Sequence, residues 1–125
     1  MSANQPQDLH TEFARALNAG NLEALVSLYE DDASLVAGPT GVAQGIAAIR
    51  TALGGLLALR PHIDLQTVSV LQGASNLALL AGRWTLRGTA ADGSPVEVAG
   101  TTREVARRHA DGTWLYVLDD PGTGG

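Results

Sequence analysis

The hydrophobic positions along the chain follow a helical period in the first half and an alternating period in the second. Three helices are predicted from apolar residues spaced three and four apart: Leu9, Phe13, Ala16 and Leu17; then Leu22, Leu25, Val26 and Tyr29; then Ile46, Ile49, Leu53 and Leu56. Gly20 suits the left-handed position that ends the first helix, and Asn21 suits the N-cap of the second. Pro61 ends the third helix, whose two central glycines weaken it.

The alternating half predicts strands. Residues 33–36 form a short apolar run that predicts a first strand, followed by a loop at 37–41. Four longer strands are predicted at residues 62–71, 77–88, 95–109 and 113–119. Asp-Gly pairs at 92–93 and 111–112 are hairpin signals, which make the last three strands an antiparallel meander. Helices followed by strands indicate an α+β domain with the helices on one face of a curved sheet.

Length and composition narrow the function classes. With 125 residues, the chain is expected to form one domain over residues 1–125, with residues 1–7 and 121–125 as loose ends. A net charge of −5 argues against a nucleic-acid surface. The chain has no cysteine, and its three histidines share no ligand spacing, so neither a metal nor a cofactor is expected. The polar N-terminus and the lack of a long apolar segment indicate a cytoplasmic protein without a membrane partner.

Two segments resemble a known superfamily. The first segment resembles the N-terminal half of nuclear-transport-factor-2-like (NTF2-like) proteins. It consists of ALNAGNLEALVSLYEDDASLV, a loop with Gly41 and Gly45, and GIAAIR. TREVARRHADGTWLYVLDDP resembles their two closing strands. Within the superfamily, the chain is most similar to ketosteroid isomerases and SnoaL-type polyketide cyclases. The resemblance implies a cone-shaped NTF2-like (cystatin-like) α+β fold, in which three N-terminal helices pack on a curved, mainly antiparallel sheet that opens into a pocket.

Matching the strands to the ketosteroid isomerase pattern assigns candidate site residues. The resemblance implies Asp119 as the catalytic base and Glu104 as its partner. It implies the following substrate contacts: Phe13, Tyr29, Leu35, Ala37, Leu80, Trp84, Thr102 and Val117. The alternation along the last strand places Trp114 and Tyr116 on the outer face of the sheet, where they would suit a homodimer interface.

A carboxyl group in an apolar pocket loses hydration, which raises its pKa toward neutrality and suits it to acid–base work. Two carboxyl groups facing one cavity also repel each other and titrate apart. Both residues equally suit structural roles, because Asp119 before Pro121 fits a turn cap and Glu104 lies among arginines that fit an ion pair.

The chain departs from the isomerase pattern at two positions, so steroid isomerisation by that mechanism is not expected. Phe13 replaces the tyrosine donor, and Ala37-Gly38 replaces the proton-shuttling aspartate. Two hypotheses stay open. The first is a cofactor-free enzyme that isomerises, cyclises or dehydrates a small hydrophobic carbonyl or polyketide-like compound. The second is a non-catalytic ligand-binding or assembly module on the same fold.

Overall fold

The computed structural model describes residues 3–38 and 41–122. Within these ranges there are three helices and six strands: α1 Asp8–Asn18, α2 Leu22–Val26, β1 Tyr29–Ala37, β2 Gly41–Gln44, α3 Ile46–Leu57, β3 His62–Gln72, β4 Leu77–Thr89, β5 Pro95–Arg108 and β6 Trp114–Asp120. Gly20 has the predicted positive φ of 69°, and the Asn21 side chain caps α2 by accepting from Ala24 N at 3.1 Å. Residues 39–40 of the predicted loop and the outermost residues of both ends lie outside the described ranges.

The described strands form one mixed sheet in the order β2-β1-β6-β5-β4-β3. All neighbouring pairs are antiparallel except β1 and β6, which run parallel. The predicted meander of the last three long strands is therefore confirmed. The sheet is curved, and register shifts interrupt β3 and β6, as expected where bulges bend a sheet around a core. α1 and α3 pack against the sheet, and α2 packs against both of these helices.

The second helix is shorter than predicted and the first strand is longer. α2 ends at Val26, and Tyr29 begins β1 instead of completing a helical stripe. Tyr29 pairs in register with Tyr116 of β6, so pairing with the sheet overrides the local helical pattern. The four-residue strand β2 was predicted as loop because its sequence, GVAQ, is too short to establish an alternation. It pairs antiparallel with the end of β1.

A bulge in β6 reverses the predicted facing of its first half. Val105 pairs with Leu118, whereas Ala106 pairs with Tyr116, so Val117 has no partner between them. A bulge residue shifts the alternation by one position. Tyr116 therefore faces the helices together with Asp119, and it is only 1% exposed. The placement of Trp114 and Tyr116 on the outer face was wrong, because the alternation was extrapolated through this bulge.

Polar contacts hold α1 against the sheet. The Asn18 amide donates to Ile63 O at 3.1 Å and accepts from Ile63 N at 2.7 Å, which pins the end of α1 to β3. The described part of the N-terminal end is docked and not loose, because Trp114 N donates to Ala3 O at 2.9 Å and Ala3 is buried. None of the helices within the described ranges has the length and apolar character needed to cross a membrane.

Candidate active site

A cavity of about 450 Å³ lies between the helices and the concave face of the sheet. α3, β1, β3, β4 and β5 contribute most of its wall, which is made mainly of apolar side chains such as Leu53, Leu56, Leu65 and Leu86. Polar groups come mainly from β1, β5 and β6. The cavity is therefore an apolar container with a small group of oxygen atoms contributed by neighbouring strands.

Most of the residues implied by the resemblance line this cavity. They are Phe13, Tyr29, Leu35, Ala37, Trp84, Thr102, Glu104 and Asp119. Leu80 does not line it, because its side chain is completely buried in the core cluster. Val117 does not line it either, because the β6 bulge gives its expected place to Tyr116.

The Asp119 carboxyl is buried at the end of β6, with only 6% of the residue exposed. Its Oδ2 accepts a 2.6 Å hydrogen bond from the Tyr29 hydroxyl. Burial raises the pKa of Asp119 to about 7, the negative charge of Glu104 adds to the rise, and the Tyr29 hydrogen bond opposes it. Asp119 therefore exchanges its proton near neutrality, and it is not merely a solvated turn cap before Pro121.

Glu104 is held by two donors and is not paired with the neighbouring arginines. His10 Nε2 lies 2.9 Å from Glu104 Oε1, and the Thr102 hydroxyl donates to Glu104 Oε2 at 2.9 Å. The expected ion pair of Glu104 with an arginine is wrong because β5 directs Arg103 and Glu104 to opposite faces, where Arg103 meets Asp120 at 3.7 Å. With both oxygens occupied, Glu104 acts on the cavity mainly through its charge.

Tyr116 is a site residue that the sequence reasoning missed. Its hydroxyl belongs to a side chain that lines the cavity, and among the described residues it has no hydrogen-bond partner. The described residues hold no fully buried polar side-chain atom without a partner, so this hydroxyl opens onto the cavity. Burial, followed by the charges of Glu104 and Asp119, keeps the pKa of Tyr116 well above its ordinary value. It is therefore a neutral donor available to a ligand.

His10 is the second missed residue, and it lies behind the cavity wall. Its Nδ1 is 2.7 Å from Thr67 Oγ1, and the residue is only 2% exposed. A side chain on Gly82 would meet the ring: an added Cβ would lie 3.1 Å from His10 Cε1 and 2.9 Å from Gln66 O. One sequence signal was available, because a glycine inside a strand often marks a close approach by another group.

Trp84 and the end of the chain close one side of the cavity. The Trp84 indole donates to Pro121 O at 2.8 Å, and both Pro121 and Gly122 line the cavity. The first residues of the predicted loose C-terminal end are therefore attached to the wall. No group of three or more His, Asp or Glu in the described ranges is arranged to hold a metal ion. The chemistry available here is that of carboxyl and hydroxyl groups in an apolar space.

Solved structures with the same fold include proteins with different names. A ketosteroid isomerase-like protein from Erwinia carotovora atroseptica superposes with a TM-score of 0.85 at 16% identity, covering 96% of this chain and 94% of that chain. A protein from Novosphingobium aromaticivorans with a provisional assignment as scytalone dehydratase gives a TM-score of 0.82 at 14% identity, covering 94% and 80%. A type 2 hexachlorocyclohexane dehydrochlorinase gives 0.81 at 16% identity, covering 95% and 82%. These identities establish a shared fold alone.

A search of curated proteins finds no match to this chain. The sequence model of the SnoaL-like domain matches residues 10–119, a span that runs from His10 to Asp119 and includes Glu104 and both cavity tyrosines. The match covers nearly all of the described structure, and the superpositions agree with it. The chain therefore belongs to the SnoaL-like domain family.

Proposed function

We propose that this protein binds a small, neutral, hydrophobic carbonyl or polyketide-like compound and moves a proton on it without a cofactor. The reaction would be an isomerisation, cyclisation or dehydration. The observation that carries the proposal is the buried Asp119 carboxyl, whose pKa is raised to about 7 where it borders an apolar cavity. Perturbed carboxyl groups in clefts are a common mark of acid–base sites.

Asp119 would be the acid–base group. With a pKa near the working pH, it is present both as a carboxylate that takes a proton and as an acid that returns one. Tyr29 holds Oδ2 through its hydrogen bond, and no bond within the described residues involves Oδ1. Oδ1 would therefore face the C–H bond next to the substrate carbonyl.

Tyr116 would bind the substrate oxygen. A neutral hydroxyl aimed into a space with little water stabilises negative charge as it develops on an oxygen atom. Thr102 is less suited to this task, because its hydroxyl is already donated to Glu104. Glu104 accepts from both of its neighbours, so its role would be to raise the pKa of Asp119 rather than to touch the substrate.

The walls indicate what kind of substrate fits. No arginine or histidine is among the described residues that line the cavity, whereas two carboxyl groups are, so an anionic substrate would be repelled. The names of the three structural neighbours, an isomerase-like protein, a dehydratase and a dehydrochlorinase, are compatible with proton transfer on a hydrophobic compound and do not choose among reactions.

Exchange of α-protons for deuterium tests the proposal without knowledge of the true substrate. A panel of hydrophobic ketones is incubated with the protein in D₂O and followed by proton NMR. We expect exchange for at least one ketone and a loss of about a hundredfold or more in Asp119→Asn. Asp64→Asn, an exposed aspartate on β3, is the matched control and should keep the rate.

The outcomes separate the two hypotheses. Binding of a ketone without exchange would overturn the catalytic proposal and support a non-catalytic ligand-binding module. Exchange that survives in Asp119→Asn would remove Asp119 from its role. If no ketone of the panel binds and none exchanges its protons, the carbonyl substrate class is contradicted.

We also propose that the protein forms a homodimer through the outer face of the sheet, but not through Trp114 and Tyr116. Leu71, Leu79, Val105 and Leu118 are successive cross-strand partners on β3 to β6. Leu71, Leu79 and Leu118 are 67%, 48% and 50% exposed, an apolar row that a second copy would cover. Sedimentation analysis should show a dimer that Leu79→Glu dissociates; a monomeric wild type at high concentration would contradict this.

A further inference from the structure

His10 is a buried titratable residue that the proposed chemistry does not use directly. It does not line the cavity, yet its Nε2 lies 2.9 Å from Oε1 of Glu104, which does. Its other nitrogen, Nδ1, lies 2.7 Å from the hydroxyl of Thr67, a residue exposed on β3. His10 thus connects a cavity carboxyl to a solvent-exposed hydroxyl on β3 through two short contacts.

Each oxygen of Glu104 contacts a polar side chain. An ionised carboxylate only accepts hydrogen bonds, and both Glu104 oxygens face groups that can donate, His10 on one side and Thr102 on the other. Nε2 of His10 then carries the proton. Nδ1 can either accept from the Thr67 hydroxyl or donate to it, so both the neutral ring and the charged ring fit this arrangement.

The charge on Glu104 is felt directly by Asp119. The two residues are cross-strand partners on β5 and β6, where directly opposed Cβ atoms lie about 4.5–5.5 Å apart. The other titratable groups around Asp119 are Tyr29, Tyr116 and, at the end of β6, Asp120. The described cavity residues of α3, β3 and β4 carry no ionisable group, so Glu104 is the strongest charged neighbour of Asp119.

We propose that His10 is a positioning residue, which holds the Glu104 carboxyl in place beside Asp119 from behind the wall and thereby sets the electrostatic environment of Asp119. Without this partner, the repulsion that Glu104 exerts on a negative charge at Asp119, which raises the pKa of Asp119, would weaken. The catalytic significance of this arrangement rests on the proposed function, but the effect of His10 on Asp119 does not.

Gly82 supports this assignment independently. It lies on β4, opposite Thr102 of β5 and Thr67 of β3. An added Cβ would come within 3.1 Å of both His10 Cε1 and Thr102 Cγ2, which are parts of the two side chains that bind Glu104. The missing side chain of Gly82 therefore leaves the space that the imidazole ring occupies, and the backbone of β4 fixes the position of the ring.

The test compares His10→Leu with His10→Gln by carbon-13 NMR titration of the Asp119 carboxyl in the full chain. Leucine removes the donor, so we expect the Asp119 midpoint to fall by about one pH unit or more. Glutamine carries an amide donor of similar reach, so we expect a midpoint close to wild type. A purely structural role for His10 would not produce this difference.

Thr102→Val provides a second arm that leaves α1 untouched. It removes the donor to the other Glu104 oxygen and should move the Asp119 midpoint down by a smaller amount. An unchanged midpoint in folded His10→Leu would overturn the proposal, as would His10→Gln shifting as far as His10→Leu. If His10→Leu does not fold, an unchanged midpoint in Thr102→Val overturns it instead. Failure of the ketone exchange assay would contradict the proposed function, whereas these titrations would still test the role of His10.

Discussion

Replacing Asp119 with asparagine should stabilise the protein, and by an amount that grows with pH. The pKa of Asp119 is raised by burial to about 7 in the folded protein, against an ordinary value of 3.8. The folded state therefore holds a proton that the unfolded chain releases. Because an Asp with a raised pKa favours the folded state only when protonated, stability is lost as pH rises from the unfolded pKa through the folded one.

The size of the effect follows from this difference in pKa. Between about pH 5 and pH 7, the folded protein carries close to one extra proton, which corresponds to about 1.4 kcal/mol per pH unit, and the loss levels off above pH 7. Asparagine does not titrate, and its oxygen still accepts from Tyr29. The advantage of Asp119→Asn in free energy of unfolding should therefore grow by about 2–3 kcal/mol from about pH 5 to about pH 8.

Urea denaturation of both proteins at these two pH values measures the change. Titrating groups that do not interact with Asp119 cancel in the difference between variant and wild type, so the difference reports the Asp119 site. Asp64→Asn, on the exposed face of β3, should show no such growth. If the difference between Asp119→Asn and wild type is the same at both pH values, the Asp119 carboxyl titrates normally and the reasoning from burial is refuted.

Three further predictions concern single groups around the cavity. Gly82→Ala should lower the free energy of unfolding in urea by about 1–3 kcal/mol, because the added Cβ meets the Gln66 carbonyl and His10. Gly55→Ala, where the added Cβ meets open space on α3, should raise it by about 0.5–1 kcal/mol. Equal effects of the two substitutions would contradict this. Tyr116→Phe should leave stability nearly unchanged, since the Tyr116 hydroxyl has no hydrogen-bond partner among the described residues, yet it should weaken binding of hydrophobic ketones about tenfold in calorimetry. Unaltered affinity would count against its donor role. Tyr29→Phe should raise the midpoint of Asp119 in an NMR titration, because the hydrogen bond from Tyr29 lowers the pKa of Asp119. A lower midpoint would contradict this prediction.

The helical and alternating periods in the sequence were enough to predict the main elements. Local features were predicted correctly because they depend on residues next to each other in the chain. They are the end of the first helix at Gly20, the N-cap at Asn21 and the two Asp-Gly hairpins. Resemblance added the prediction that Asp119 and Glu104 face one pocket, and the structure has them as cross-strand partners that both line the cavity.

What was missed depends on contacts between distant residues. Nothing in the local sequence of β6 marks Val117 as a bulge, and the reversal of facing that brings Tyr116 into the cavity follows from pairing with β5. His10 lies one turn before Phe13 on α1, and its link to Glu104 joins residues ninety-four positions apart. The early end of α2 likewise depends on Tyr29 pairing with β6.

The central claim is that the fold keeps one carboxyl group, Asp119, poised between its two protonation states at the edge of an apolar cavity. A carbon-13 NMR titration of aspartate-labelled protein measures this directly, with Asp119→Asn identifying the resonance. We predict a midpoint near the raised pKa of about 7. A midpoint near 3.8, the ordinary value for aspartate, would contradict the claim and with it the proposed acid–base role.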